Sequence, residues 1–112
     1  MSRFDMHNTL VGAGPDLKRG FTDNFPTGNT DLAPTILHLL GVKTETPMDG
    51  RVLSEALTVP APKVSKPVTR HLEASRKIGE SIWTQYLQIS RVNDTVYFDE
   101  GNGNFGQPLA KP

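Results

Sequence analysis

The chain of 112 residues contains no cysteine, which removes disulfides, thiolate nucleophiles and Cys-ligated zinc from consideration. It has 12 Lys and Arg against 12 Asp and Glu, so neither sign is in excess to draw in nucleic acid or an anionic bilayer. No apolar run reaches the length of a membrane span or has the layout of a signal peptide. Hydrophobic residues make up 36%, a low share for a compact domain, which limits the core to a modest one. Catalytic motifs are equally sparse. There is no His-x-x-x-His, Asp-His, Asp-x-Asp or Gly-x-Ser-x-Gly, whereas a hydrolytic metal site needs three or more ligands per ion plus a nucleophile or activated water. The scattered carboxylates Asp5, Asp16, Asp23, Asp31 and Asp49 each have a turn or cap explanation. No residue of the chain is assigned a catalytic role.

What the sequence does contain is organised around Asn29 to Val42. Leu32, Ile36, Leu39 and Leu40, widened by Ala33 and Leu37, recur with the spacing of a helix that has one broad buried face. Asp31 is the expected N-cap, Pro34 falls in the first turn, and Gly41 is placed to end the helix in a left-handed conformation. Thr35 and His38 lie off the stripe, with His38 solvated or capping a neighbouring loop. Before this helix, Asn8 to Gly14 reads as a short buried strand closed by Pro15-Asp16. Gly12-Ala13-Gly14 lacks the third glycine of a dinucleotide fingerprint and reads as a packed strand end. A further short strand is possible at Gly20-Phe21-Thr22, and one or two helical turns at Val52 to Leu57, with Leu57 inward.

Val59 to Pro67, with its three prolines, reads as an extended connector. Beyond it the pattern alternates. Trp83, Leu87 and Ile89 share one face, Ile82, Tyr86 and Val92 the other, and Asn93-Asp94 separates this run from Thr95 to Asp99, a hairpin signal. Val68 to Ile78 reads two ways: alternation of Val68, Arg70, Leu72 and Ala74 suggests a third strand, while Leu72, Arg76 and Lys77 would tolerate a helix. The strand is taken, because an isolated hairpin is marginal in water. Glu100 to Pro112, rich in Gly, Asn and Pro, is expected to be loose. The organisation expected is therefore residues 1–58, a connector at 59–67, and a small antiparallel sheet with its tail at 68–112. Asp5, His7 and Asn8, just ahead of the first expected strand, are the near-site candidates, since chemistry in open α/β sheets collects at strand ends. Of these, His7 is a candidate metal ligand. His71 has no evident partner.

Three motifs in order carry a resemblance. Asp5-Met6-His7-Asn8-Thr9-Leu10-Val11-Gly12-Ala13-Gly14-Pro15-Asp16-Leu17 is similar to the closing strand of alkaline-phosphatase superfamily hydrolases, in the type I phosphodiesterase/nucleotide pyrophosphatase and sulfatase-like branch. Asn29-Thr30-Asp31-Leu32-Ala33-Pro34-Thr35-Ile36-Leu37 resembles the helix that follows it, and Met48-Asp49-Gly50-Arg51-Val52-Leu53 the Asp-Gly turn after that. Together they cover roughly residues 4–57.

The resemblance implies an α/β fold: the C-terminal fragment of a doubly wound, alkaline-phosphatase-like core, followed by a small antiparallel β appendage. It also implies, for the complete enzyme, divalent metals (typically zinc), a Thr, Ser or modified Cys nucleophile, and a phosphate or sulfate ester substrate. Most of those parts belong to the family's earlier regions. Its last metal-binding His, in a His-Gly pair, would align before Met1, so that ligand role is not carried over to His7. The expectation is a C-terminal fragment of a phosphodiesterase or sulfatase-like hydrolase, inactive and metal-free alone, whose partner is the missing N-terminal portion. The start at Met1-Ser2-Arg3-Phe4-Asp5, with almost no lead-in, suits a chain cut from something longer. The alternative is a freestanding, non-catalytic interaction module.

Overall fold

The computed structural model describes residues 3–106, in the order α1 (Arg3–Met6), a 3-10 turn (Asn29–Asp31), α2 (Leu32–Leu39), a second 3-10 turn (Ser54–Ala56), and strands β1 (Val68–Ile78), β2 (Ser81–Val92) and β3 (Thr95–Phe105). The strands form one antiparallel sheet of order β1-β2-β3. The described residues fall into two compact units: 3–8 with Thr69–Ser90 and 98–106, and Thr9–Val68 with Arg91–Tyr97. The tip of the β2–β3 hairpin thus belongs with the helical unit.

The architecture corrects the expected fold class. Among the described residues there is no doubly wound α/β core, and the chain is mostly β, with an antiparallel sheet and one eight-residue helix. The segment 8–14 is irregular, and so is 20–22. A strand exists only through a neighbour's hydrogen bonds. The one pairing here is an isolated antiparallel bridge from Leu17 to Leu57, supported by Lys18 N–H to Ala56 O (2.9 Å) and Thr58 N–H to Asp16 O (2.9 Å).

The helix forms where its periodicity puts it, but its buried position lies off the stripe, on which Leu37 and Leu39 are half-buried. Pro34 sits in the first turn of α2. Gly41 ends the helix at φ 66°, its N–H donating to His38 O (3.1 Å) while Val42 N–H reaches Leu37 O (2.9 Å), the paired closure of a left-handed cap. Along the apolar stripe, however, Leu32, Ile36 and Leu40 are 37%, 53% and 69% exposed, and the off-stripe Thr35 is buried. Its hydroxyl explains why: it donates to Asp31 O (2.7 Å) and accepts from Leu53 N–H (3.0 Å). The expected cap is also different, since no side-chain bond from Asp31 caps α2.

The buried apolar residues, Leu53, Leu57, Val92 and Tyr97, all belong to the helical unit. The segment 52–57 contributes two of them from a single 3-10 turn. The strands occupy the alternating runs, and the hairpin turn, in the helical unit, has Asn93 at φ 52°. β3 extends through Phe105, so residues 100–105 are ordered strand rather than loose tail; the rest of that expected tail, 107–112, lies outside the described residues. Gly101 and Gly103 permit the extension, because a Cβ on Gly103 would stand 2.3 Å from the Trp83 indole and one on Gly101 3.0 Å from Tyr86 O. His71 also has a partner, stacking on Tyr86 with ring centroids 5.1 Å apart.

Candidate functional site

The most highly ordered chemistry in the chain is a buried polar cluster in the helical unit. It begins with Asp31, which is 0% exposed. Instead of capping α2, its carboxylate turns back. Oδ2 accepts from Gly28 N–H (2.8 Å) and from the Tyr97 hydroxyl (2.8 Å), and Oδ1 accepts from Arg51 N–H (2.8 Å). A buried carboxylate is tolerable only with donors of this kind around it.

The Asp49-Gly50-Arg51 turn delivers the second member. Gly50 lies so close to the first 3-10 turn that a Cβ would stand 2.0 Å from Thr30 O, which leaves glycine as the residue able to bring Arg51 under Asp31. All five guanidinium N–H groups can then be accounted for. Nε donates to Tyr97 Oη (2.9 Å), Nη1 to Glu55 Oε2 (2.8 Å) and Val52 O (3.3 Å), and Nη2 to Glu55 Oε1 (2.7 Å) and Pro26 O (2.9 Å). The Arg51–Glu55 pair is bidentate, with side chains only 7% and 9% exposed. No buried side-chain nitrogen or oxygen among the described residues lacks a partner.

Electrostatics follow from this packing. Burial pushes the Tyr97 hydroxyl well above its ordinary range, and the Asp31 carboxylate beside it adds to the rise. Burial acts against the charge on Arg51 and on Glu55, yet each gains more from the other, so Arg51 rises and Glu55 falls. Asp23 is the exception in the group. Burial raises it, the neighbouring Glu55 carboxylate raises it further, and the Phe25 N–H on Oδ1 (2.9 Å) only partly offsets this. With every polar group engaged internally, the cluster is a clamp that holds the 25–31, 51–55 and 91–97 segments in register; it presents no free nucleophile.

Sequence reasoning passed over Tyr97, Arg51 and Glu55. Only the Arg51-to-Glu55 spacing of four residues was a local signal. The residues it did single out lie elsewhere. Asp5 is an exposed residue of α1, and His7 and Asn8 are exposed in the irregular segment after it. His38 Nε2 lies 2.9 Å from Pro60 O, which settles it as a loop tie. Among the described residues, no three His, Asp or Glu side chains converge to hold a metal ion. No chemical step is routed through a metal in this chain.

Comparison with known proteins gives a limited answer. No protein-family model matches the chain. It is similar to a putative extracellular sulfatase Sulf-1 homolog of Caenorhabditis elegans, 37% identical over 79 residues, which is 70% of this chain and 10% of that protein. No solved structure matches it. The likeness supports a sulfatase-like link. The chain spans about a tenth of the length of the curated relative it matches.

Proposed function

We propose that this chain is a non-catalytic closing portion of a sulfatase-like ester hydrolase, and that it acts by docking on the body that holds the reaction centre. The observation that carries the proposal is the 37% identity over 79 residues to a protein described as an extracellular sulfatase homolog. Two structural facts support it. The buried polar groups of Asp31, Arg51 and Tyr97 are bonded to one another in a clamp. In the same unit, Leu10, Val11, Ile36 and Leu40 are 57%, 85%, 53% and 69% exposed. Covering such side chains is worth roughly 1.5–3 kcal/mol each, which suits a surface built against a larger partner. In the complete enzyme a divalent metal, zinc by the family resemblance, would supply charge stabilisation at the transferred sulfate or phosphate.

The test has two arms. The purified chain is offered 4-nitrophenyl sulfate, 4-nitrophenyl phosphate and bis(4-nitrophenyl) phosphate with zinc, manganese or calcium, and no turnover is expected. Metal-dependent turnover lost in His7→Ala would overturn the proposal and make His7 a ligand. Sequencing the DNA ahead of the Met1 codon is the second arm. An open frame leading back into a His-Gly pair and earlier metal motifs is expected, and an in-frame stop would favour the freestanding interaction module instead.

A further inference from the structure

The two faces of the β-sheet differ in what they ask of their surroundings. On one face Thr69 bonds Ser90 (3.1 Å), Ser75 bonds Thr84 (2.9 Å), Asp99 accepts from Ser90 and Gln88, and His71 stacks on Tyr86. This is a self-satisfied polar ladder suited to water. The side chains of a strand alternate between faces, so the opposite face receives Val68, Arg70, Leu72, Ala74, Arg76 and Ile78 from β1 and Ser81, Trp83, Gln85, Leu87, Ile89 and Arg91 from β2. There, Trp83 meets Phe105 edge to face at 4.8 Å. An open groove of about 540 Å3 lies over Gly101 and Gly103, with Leu72, Trp83, Gln85 and Leu87 in its lining and Glu73, whose side chain alternates to the other face, on its β1 border. Leu72, Ile78 and Phe105 are 41%, 50% and 60% exposed. An antiparallel sheet with one polar and one apolar face is built to be covered on the latter.

Dimensions and charge say what covers it. Three strands about 4.8 Å apart span about 10 Å, close to the diameter of a single α-helix. Arg70 and Arg76 stand six positions apart on the edge strand, about 20 Å, the length of a helix of about 13 residues. The twelve residues that β1 and β2 direct to this face include three arginines, of which Arg91 is paired with Asp94 (3.2 Å), and no carboxylate. A face that carries arginine and no carboxylate of its own favours an acidic partner. We propose that the apolar face of the sheet is the seat of one amphipathic α-helix with acidic residues along its flank, supplied by the remainder of the hydrolase. Only the source of the helix rests on the sulfatase-like reading; about nine-tenths of the relative lies outside the matched segment.

Trp83 is the chain's one tryptophan and reports on this face directly. The full chain at low micromolar concentration is titrated with synthetic 14-residue helices bearing a leucine stripe flanked by glutamate or, in a second peptide, by lysine. Expected are acrylamide-accessible Trp83 in the free chain, a blue shift and loss of quenching with the glutamate helix, and binding about tenfold weaker for the lysine helix. Raising salt should shrink that preference, and Arg70→Glu with Arg76→Glu should reverse it. Should the double variant fold poorly, the salt dependence in the unaltered chain still decides. A Trp83 already shielded in the dilute chain, no shift with the glutamate helix, or equal shifts with both peptides would each overturn the inference. A shift that grows with chain concentration alone would do the same and assign the face to a second copy. These results are read without reference to ester hydrolysis, so they stand or fall apart from the proposed function.

Discussion

Tyr97→Phe is the sharpest probe of the buried clamp, because it removes one oxygen and leaves the ring. That oxygen donates to Asp31 Oδ2 at 2.8 Å and accepts from Arg51 Nε at 2.9 Å. Its loss leaves Asp31 with two donors in a fully buried position and strips Arg51 Nε of its acceptor. Hydrogen bonds to charged groups contribute about 1.5–3 kcal/mol each, so the substitution should cost about 3–5 kcal/mol, less than simple addition where the cluster relaxes. The ring centroid stays about 5.9 Å from the Arg51 guanidinium carbon, and that contact should survive. Against a typical domain stability of about 5–15 kcal/mol this is a large share, and it should lower the melting temperature by about 12 °C or more. Urea unfolding followed by circular dichroism gives the free energy, with Tyr86→Phe on the sheet as control, expected within about 1 kcal/mol of the parent. A Tyr97→Phe cost below about 1 kcal/mol would refute the clamp as a stabilising device.

Three further outcomes follow from the same geometry. Thr35→Val should cost about 1–3 kcal/mol, because Leu53 N–H loses its acceptor in a buried position, whereas Ile36→Ser should cost little; equal effects in thermal unfolding would restore the apolar stripe as the buried face. Gly50→Ala should cost about 1–3 kcal/mol by forcing the turn off Thr30, and Gly14→Ala, with nothing within 4 Å of its added carbon, should be close to neutral; chemical denaturation of the pair checks this. The folded value of Glu55 lies below its ordinary 4.5, so its stabilisation is present above about that pH and is lost as pH falls through the folded value. Asp23 lies above its ordinary 3.8, so its contribution is present below that pH and lost as pH rises through the folded value. Melting curves from pH 3 to 7 should therefore show Glu55→Gln destabilising and Asp23→Asn stabilising at neutrality, both differences fading toward pH 3; a destabilising Asp23→Asn at pH 7 would contradict the assignment.

The parts of this fold legible in sequence are those written locally. The turn pair Asn93-Asp94 located the β2–β3 hairpin, periodicity with Pro34 and Gly41 located α2, and β1 at Val68–Ile78, where the pattern also tolerated a helix, followed from the hairpin's need of a third strand. What a local pattern leaves open is whether the chain itself supplies the cover. Ile36 and Leu40 sit on a true apolar stripe, yet burial went to Thr35, whose hydroxyl meets a backbone donor 18 residues away. Leu10 and Val11 read as a buried strand, but no neighbouring strand pairs with their segment among the described residues. The clamp was the least legible feature. Asp31 meets Arg51 across 20 residues and Tyr97 across 66, and nothing in the composition of two turns and a strand announces that they share one carboxylate.

That last separation has a consequence for how the protein is made. Residues 9–68 leave the ribosome well before residues 91–97, which complete their unit. At about 5–20 residues per second, the nascent chain spends seconds with Asp31 and Arg51 formed into turns but without the Tyr97 hydroxyl between them. During that interval the helical segment has no means of burying Asp31 with all three donors, and it stays open to water or to a chaperone. Synthesis arrested anywhere in β2 would therefore release an unfinished unit, and a nonsense codon at position 95 should be about as damaging to the helical region as one at position 60.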